Sequence, residues 1–180
     1  MTSTRDMKRS MTSRMNNSAG RMLEMMIEGA AKQYQARGQM ILVKMPEPFR
    51  VIRNTDRGRG RAQVQFTARA QPDFIGCLAG GRMVVFEAKH TAQAQIKQDA
   101  VTPTQARALD AYAQMGAWAG VCCQLSGGGE VTSYMVPWQV WKNMKTIFGK
   151  KSAGREELRP FKVRTGMVVY FADGIEGEQI

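Results

Sequence analysis

Residues 83–125 constrain the fold of this chain more than any other stretch. They read as an apolar segment, "MVVFEAK", then a helix signal, "TPTQARALDAYAQMGA", then a near-continuous apolar run, "WAGVCCQL". Thr102 is placed to cap the helix, Pro103 takes its first position, and Ala106, Leu109 and Tyr112/Ala113 recur on its inner side. The second apolar run is that of a central, fully buried strand. No other part of the chain has this clear strand–helix–strand character. An α/β fold with a mixed sheet flanked by helices is therefore expected, rather than a fully doubly wound one.

The remaining segments attach to that unit. Residues 1–18 are small, polar and basic and are expected to form a flexible arm, leaving 19–180 as one domain. A helix is expected from Ser18 or Ala19, because Met22/Leu23, Met26/Ile27, Ala30/Ala31 and Tyr34 recur every three to four residues and Gly38 supplies a stop. "QMILVKM" reads as a short buried strand that Pro46 and Pro48 end. From Phe49 to Arg69 two alternating segments flank a tip of Asn54, Gly58 and Gly60, a basic hairpin. Strands are expected at Phe74–Leu78 and Met83–Lys89, with Gly80-Gly81 as the turn between them. Beyond Leu125 come a turn at "SGGGE", a strand at "VTSYMV", a helix at "PWQVWKNMKTIF", a basic linker at "GKKSAGREELRP" and a closing strand at "KVRTGMVVYF". Trp118, Trp138 and Trp141 sit in apolar periodic segments and are assigned to the core.

Composition narrows the partners. The chain carries 26 Lys+Arg against 15 Asp+Glu, a formal charge of +11. Fixed positive charge of this size gathers polyanions by releasing their counterions. A membrane surface is the less favoured polyanion, since no basic amphipathic helix carries a large apolar face. No apolar run is long enough to span a bilayer, and the N-terminus lacks the apolar centre of a secretory signal. Cys77, Cys122 and Cys123 lack metal-ligand spacing and lie in or beside apolar runs, so reduced, buried thiols and a cytoplasmic setting are expected. With His90 as the single histidine, a zinc site is not expected.

One constellation carries chemistry. Side chains alternate along a strand, so Glu87 and Lys89 share a face while Ala88 points away. If Phe74–Leu78 pairs with Met83–Phe86 across the Gly80-Gly81 turn, Asp73 arrives beside Glu87 and Lys89. Two carboxylates brought together repel unless a cation joins them, and an oxygen-rich site of this kind suits Mg²⁺ or Mn²⁺. A nearby ammonium can then orient water and stabilise charge on phosphorus. The bland alternative is a cross-strand salt bridge, worth on the order of 1 kcal/mol or less. Pro72-Asp73 at hairpin distance in so basic a chain favours a nuclease site.

"PDF…VVFEAK" resembles the signature of the PD-(D/E)xK, restriction-endonuclease-like nucleases, with Asp73, Glu87 and Lys89 at its three positions. Over residues 20–125 the run "GRMLEMMIEGAAKQYQARGQMILVKMPEP", "DFIG…GGRMVVFEAKHT" and "TQARALDAYAQMGAWAGV" resembles the RecU family of Holliday-junction resolvases. The resemblance implies a metal-dependent endonuclease that makes paired incisions in four-way or branched DNA, acts as a homodimer, and works in recombination and repair. It implies Asp73 and Glu87, with the Ala88 carbonyl, as metal ligands and Lys89 as attendant of the attacking water. Glu24, in the helical "MLEMM", matches the family's early helix glutamate, which approaches the metal in related resolvases. Read from the residues alone it is a solvated helix position, paired with Lys32 through Glu28. Gln105 matches a family glutamine at the start of the following helix; locally, Thr102-x-x-Gln105 is a capping box. The resemblance also implies that the basic hairpin is a stalk reaching into the junction, with Arg53, Arg57, Arg59, Arg61, Arg69 and Lys44 as DNA contacts.

Two other readings remain. One is a different structure- or sequence-specific nuclease of the same superfamily, from a phage or a repair system. The other is a non-catalytic nucleic-acid-binding protein. A bacterial or phage-infected cell is the expected host, with a recombinase left open as a further partner.

Overall fold

The computed structural model describes residues 4–46, 49–56, 58–66 and 71–176, without the side chains of 4–17, 66 and 176. Its centre is a six-stranded mixed sheet. Helix α1 (Thr4–Ala36) leads into β1 (Met40–Lys44); β2 (Phe49–Asp56) and β3 (Arg61–Phe66) follow, then β4 (Phe74–Leu78), β5 (Met83–Thr91) and β6 (Gln95–Lys97). After α2 (Pro103–Gln114) come β7 (Trp118–Leu125) and β8 (Thr132–Pro137), then α3 (Trp138–Lys142) and α4 (Met144–Phe148). The chain closes with β9 (Ser152–Gly154), α5 (Arg155–Leu158), β10 (Lys162–Val163) and α6 (Asp173–Glu176). The sheet order is β1-β4-β5-β7-β8-β10, while β2-β3 and β6-β9 form separate two-stranded ribbons.

The strand–helix–strand unit read from the sequence is the middle of this sheet. β5 and β7 run parallel, with Val84 opposite Trp118 and Glu87 opposite Val121, and α2 crosses between them. Every residue of β7 is buried, because side chains from both its faces enter a core. Val84, Phe86 and Cys122 join one core beneath α1, with Leu23, Ile27, Ala30 and Tyr34. Val85, Val121 and Cys123 join the other, with Leu109 of α2 and Trp138, Trp141 and Met144. The mixed sheet with helices on both sides is as expected, and all three tryptophans are buried.

Several sequence expectations need correction. Helix α1 begins at Thr4, well before Ser18, and so takes in most of the stretch expected as a flexible arm. Residues 4–17 contain neither Pro nor Gly, so nothing in the backbone forces a later start. β1 is an edge strand and only half a core element: Met40 is buried, whereas Ile41 and Val43 are exposed. The helix after Pro137 breaks at Asn143, whose φ of −106° and ψ of 19° are non-helical. The presumed basic linker is structured: β9 pairs with β6, and Ala153 and Leu158 enter the core. The closing strand shrinks to Lys162–Val163, since the chain folds back with Gly166 N–H donating to the Val168 carbonyl and Tyr170 N–H to that of Arg164. Cys122 and Cys123 are buried and free as expected, but Cys77 is exposed on β4 near the sheet edge.

Candidate active site

The site sits at a step in the sheet. β4 pairs antiparallel with β5 from Phe74 opposite Phe86 to Cys77 opposite Met83. The turn between them holds Gly80 and Gly81 at φ of 93° and 92°, a left-handed conformation that only glycine adopts without strain. β4 begins at Phe74, whereas β5 continues to Thr91 with only β7 beside it. Asp73 lies immediately before the step. Its carbonyl accepts from Met45 N–H at 2.8 Å, which ties it to the end of β1. Its carboxylate Oδ2 accepts from Ala88 N–H at 3.0 Å, so a side chain continues the ladder where the strand has stopped.

This register brings Asp73, Glu87 and Lys89 together, as the strand alternation requires. Lys89 Nζ lies 3.1 Å from Glu87 Oε2 and 4.0 Å from Asp73 Oδ2. Glu87 is fully buried, and Gln105 Nε2 donates to its Oε2 from the first turn of α2. Gln105 both caps α2 and contacts Glu87. Its backbone N–H donates to Thr102 Oγ1 while its Oε1 accepts from Thr102 N–H, a complete capping box. The cap leaves the amide nitrogen free to reach the carboxylate. The local helix signal and the site are therefore one arrangement.

The electrostatics are those of a site short of positive charge. Burial, and next the neighbouring Asp73, push the Glu87 carboxyl from its ordinary 4.5 up to about 8; Lys89 opposes them without prevailing. Glu87 Oε1 is buried and no protein donor reaches it, so only a proton shared with Asp73, or a cation, can join the two carboxyl groups. An orphaned carboxylate oxygen beside a second carboxylate is suited to a small, hard cation. No cluster of three or more metal-ligating side chains occurs among the described residues, so a cation here would take further oxygens from backbone or water.

Glu24 and Lys44 flank this group without joining it. Glu24 Oε2 pairs with Lys44 Nζ at 2.7 Å, in place of the pairing with Lys32 through Glu28 that the sequence suggested. Hydrogen bonding to Glu24 raises the Lys44 pKa, and Asp73 adds to this at longer range. Lys44, assigned to DNA contact in the sequence, is thus also a charge link between α1 and the carboxylates. Sequence reasoning missed that link, because Lys44 and Glu24 meet only through the packing of α1 on β1. His90, next to Lys89, has Nε2 3.0 Å from Ser126 Oγ, and burial lowers its pKa.

The basic ribbon is a separate feature. β2 and β3 pair antiparallel from Phe49 opposite Phe66 to Asp56 opposite Arg61, with irregularities near Val51/Arg53 and Asn54/Asp56. Arg53, Arg59 and Arg61 lie on it and are exposed. Asp56 accepts from Arg59 N–H at 3.2 Å, which closes the tip. Arg57 and Arg69 lie outside the described residues.

The chain matches the family described as Recombination protein U, RecU, over residues 18–168. No curated protein matches it significantly. Among solved structures it is similar to Archaeoglobus fulgidus Hjc, described as a Holliday junction resolvase from an archaeal hyperthermophile. That similarity covers 82% of this chain and 95% of the other, at 10% identity and a TM-score of 0.46.

Proposed function

The chain belongs to the RecU family, and we propose on that premise that it is a divalent-metal-dependent endonuclease resolving Holliday junctions by paired incisions. The observation that carries the reading is the buried Oε1 of Glu87, which no protein donor reaches, beside Asp73 and Lys89. A purely structural salt bridge would be expected to satisfy its buried carboxylate; this one leaves half of it unmet.

Asp73 and Glu87, with the Ala88 carbonyl, would hold Mg²⁺, or Mn²⁺ in its place. The cation supplies Lewis-acid stabilisation of phosphoryl charge and makes water a better nucleophile at neutral pH. The remaining roles belong to the chain. Gln105 fixes the Oε2 edge of Glu87, which would leave Oε1 for the cation. Ala88 N–H holds Asp73 at the sheet step, so the two carboxylates converge from adjacent strands. Lys89 keeps its ammonium between them, where it can orient the attacking water and offset charge on the phosphate. The products would carry 5′-phosphate and 3′-hydroxyl ends. Glu24, whose Oε2 is paired with Lys44, would approach the cation through its other carboxylate oxygen or by exchanging that partner.

DNA would be gathered by the ribbon, through Arg53, Arg59 and Arg61, acting as a stalk in the junction, with Arg57, Arg69 and Lys44 as further contacts. Resolving a four-way junction requires two opposed cuts, hence two sites in one assembly, and a two-fold homodimer supplies them. The exposed, uncharged Ile41 and Val43 on β1, with Cys77 opposite Ile41 on β4, offer a surface where two copies of so basic a chain can meet. A cytoplasmic location fits a DNA-cutting role; among the described residues no helix is long and apolar enough to cross a membrane.

The test is incubation with an immobile four-way junction and an equimolar linear duplex, in Mg²⁺ and in EDTA. Paired cuts confined to the junction and absent in EDTA are expected. Equal cutting of both DNAs would keep the nuclease and remove the junction specificity. No cutting in Mg²⁺ or Mn²⁺ would leave only a binding protein.

A further inference from the structure

A small divalent cation such as Mg²⁺ takes about six oxygen ligands. Asp73 and Glu87 supply two of the carboxylates, and no third metal-ligating side chain joins them among the described residues. Glu24 of α1 is the nearby candidate, and its Oε2 is taken by Lys44 Nζ at 2.7 Å. Lys44 ends β1 opposite Phe74 of β4, and its neighbour Met45 donates to the Asp73 carbonyl. The Lys44 ammonium therefore feels an acid of α1 and an acid of the site together, with Glu28, one turn along α1, as a further contributor.

This pair is easily exchanged. Both side chains are partly exposed, and an ion pair in that setting is held weakly. Lys44 also lies on the way from the site to the ribbon: β1 ends with it, and β2 of the arginine-bearing ribbon starts at Phe49. A phosphate of DNA held on the ribbon and reaching for Asp73 and Glu87 would meet this ammonium. Its oxygens accept a charge-assisted hydrogen bond from Lys44 as a carboxylate does.

We propose that the Glu24–Lys44 pair is a latch opened by the substrate: a DNA phosphate takes Lys44, and the freed Glu24 carboxylate turns to the cation beside Asp73 and Glu87. The inference rests on the nuclease reading above and adds to it an order of events. Cation affinity stays low until DNA is in place, so the site is completed only at a bound phosphate. By linkage, DNA and cation then tighten each other's binding by the same factor. Lys44 is a positioning residue in this scheme, acting on the cation through Glu24.

The test has two readouts. The first is Mn²⁺ affinity of the protein without DNA, by titration calorimetry. Lys44→Met, which keeps the side-chain stem, should bind Mn²⁺ about tenfold or more tighter than wild type, and adding Glu24→Gln should remove that gain. Equal affinity in Lys44→Met and wild type overturns the latch, and is the result if Glu24 reaches the cation through Oε1 with Lys44 still attached. A gain that survives in the double variant also overturns it, since loss of a nearby positive charge alone then explains the effect. The second readout is junction affinity by anisotropy, in EDTA and in Ca²⁺, with the junction checked intact on gels. A cation that only bridges phosphate and carboxylates tightens binding in every variant; the latch adds to this in wild type alone. Wild type should therefore gain about tenfold more from Ca²⁺ than Lys44→Met or Glu24→Gln does, and equal gains in all three overturn the proposal. Junction cutting by wild type in Mg²⁺ is scored separately. Cutting with equal gains removes the latch alone, and the latch coupling without cutting removes the nuclease reading alone.

Discussion

Replacing Glu87 by Gln should stabilise the metal-free protein at alkaline pH while destroying its activity. The Glu87 carboxyl is held at about 8 in the fold against an ordinary 4.5. Between those two values the folded state carries a proton that the unfolded chain has lost. Stability therefore falls as pH rises through this window, and above it the loss is complete. One pKa unit corresponds to about 1.4 kcal/mol, so the ceiling on that loss is on the order of 4 to 5 kcal/mol. In a domain of this size each kcal/mol moves the melting temperature by about 2–4 °C, which puts the full effect at roughly 10–20 °C. Gln cannot ionise, and its oxygen can still accept from Lys89 and Gln105. The assay is a set of thermal melts in EDTA from pH 5 to pH 9. Wild type should lose stability relative to Glu87→Gln as pH rises, ending several degrees lower at pH 9, and Mg²⁺ should restore wild type only. Parallel pH curves for the two proteins, or a variant less stable than wild type at pH 9, would refute the burial argument.

Other outcomes can be checked alongside. Asp73→Asn keeps the bond from Ala88 N–H and should retain junction affinity while cutting falls by about 10³-fold or more, read in single-turnover cleavage. Gln105→Ala removes the reciprocal half of the capping box and the bond to Glu87, so about 1 kcal/mol of stability, by denaturant melts, and at least about tenfold in cutting should be lost; Gln105→Glu keeps the cap but sets a third carboxylate against Glu87 and should recover neither. Neutralising Arg53, Arg59 and Arg61 together should weaken junction binding and reduce the slope of log K against log salt by up to about 2.7, measured by anisotropy across a salt series.

The grouping of Asp73, Glu87, Lys89 and Gln105 was legible in the sequence because it is built from local rules. Alternation along β5 sets Glu87 beside Lys89, a two-glycine turn sets the register that returns Asp73, and the Thr102–Gln105 cap sets the helix start. Each depends on residues close together in the chain or joined by one hairpin. The misses share the opposite cause. That Lys44 would pair with Glu24 depends on how α1 lies across β1. The β6–β9 ribbon joins segments more than fifty residues apart, and its three-residue strands leave no periodicity to read. The closing segment has strand-like alternation, but its last apolar residues, Val169 and Phe171, enter the α1-side core through a folded-back loop. Tertiary packing overrode the local pattern there.

The central claim is that the carboxylates at the sheet step cut junction DNA. The most direct measurement starts from a preformed complex of protein and four-way junction in EDTA, with its affinity determined for wild type and Glu87→Gln. Cleavage is then triggered with excess Mg²⁺. The account predicts affinities within about threefold of each other and a rate at least about 10³-fold lower in the variant. Cleavage by Glu87→Gln within about tenfold of wild type would contradict it, and would put the chemistry elsewhere in the molecule.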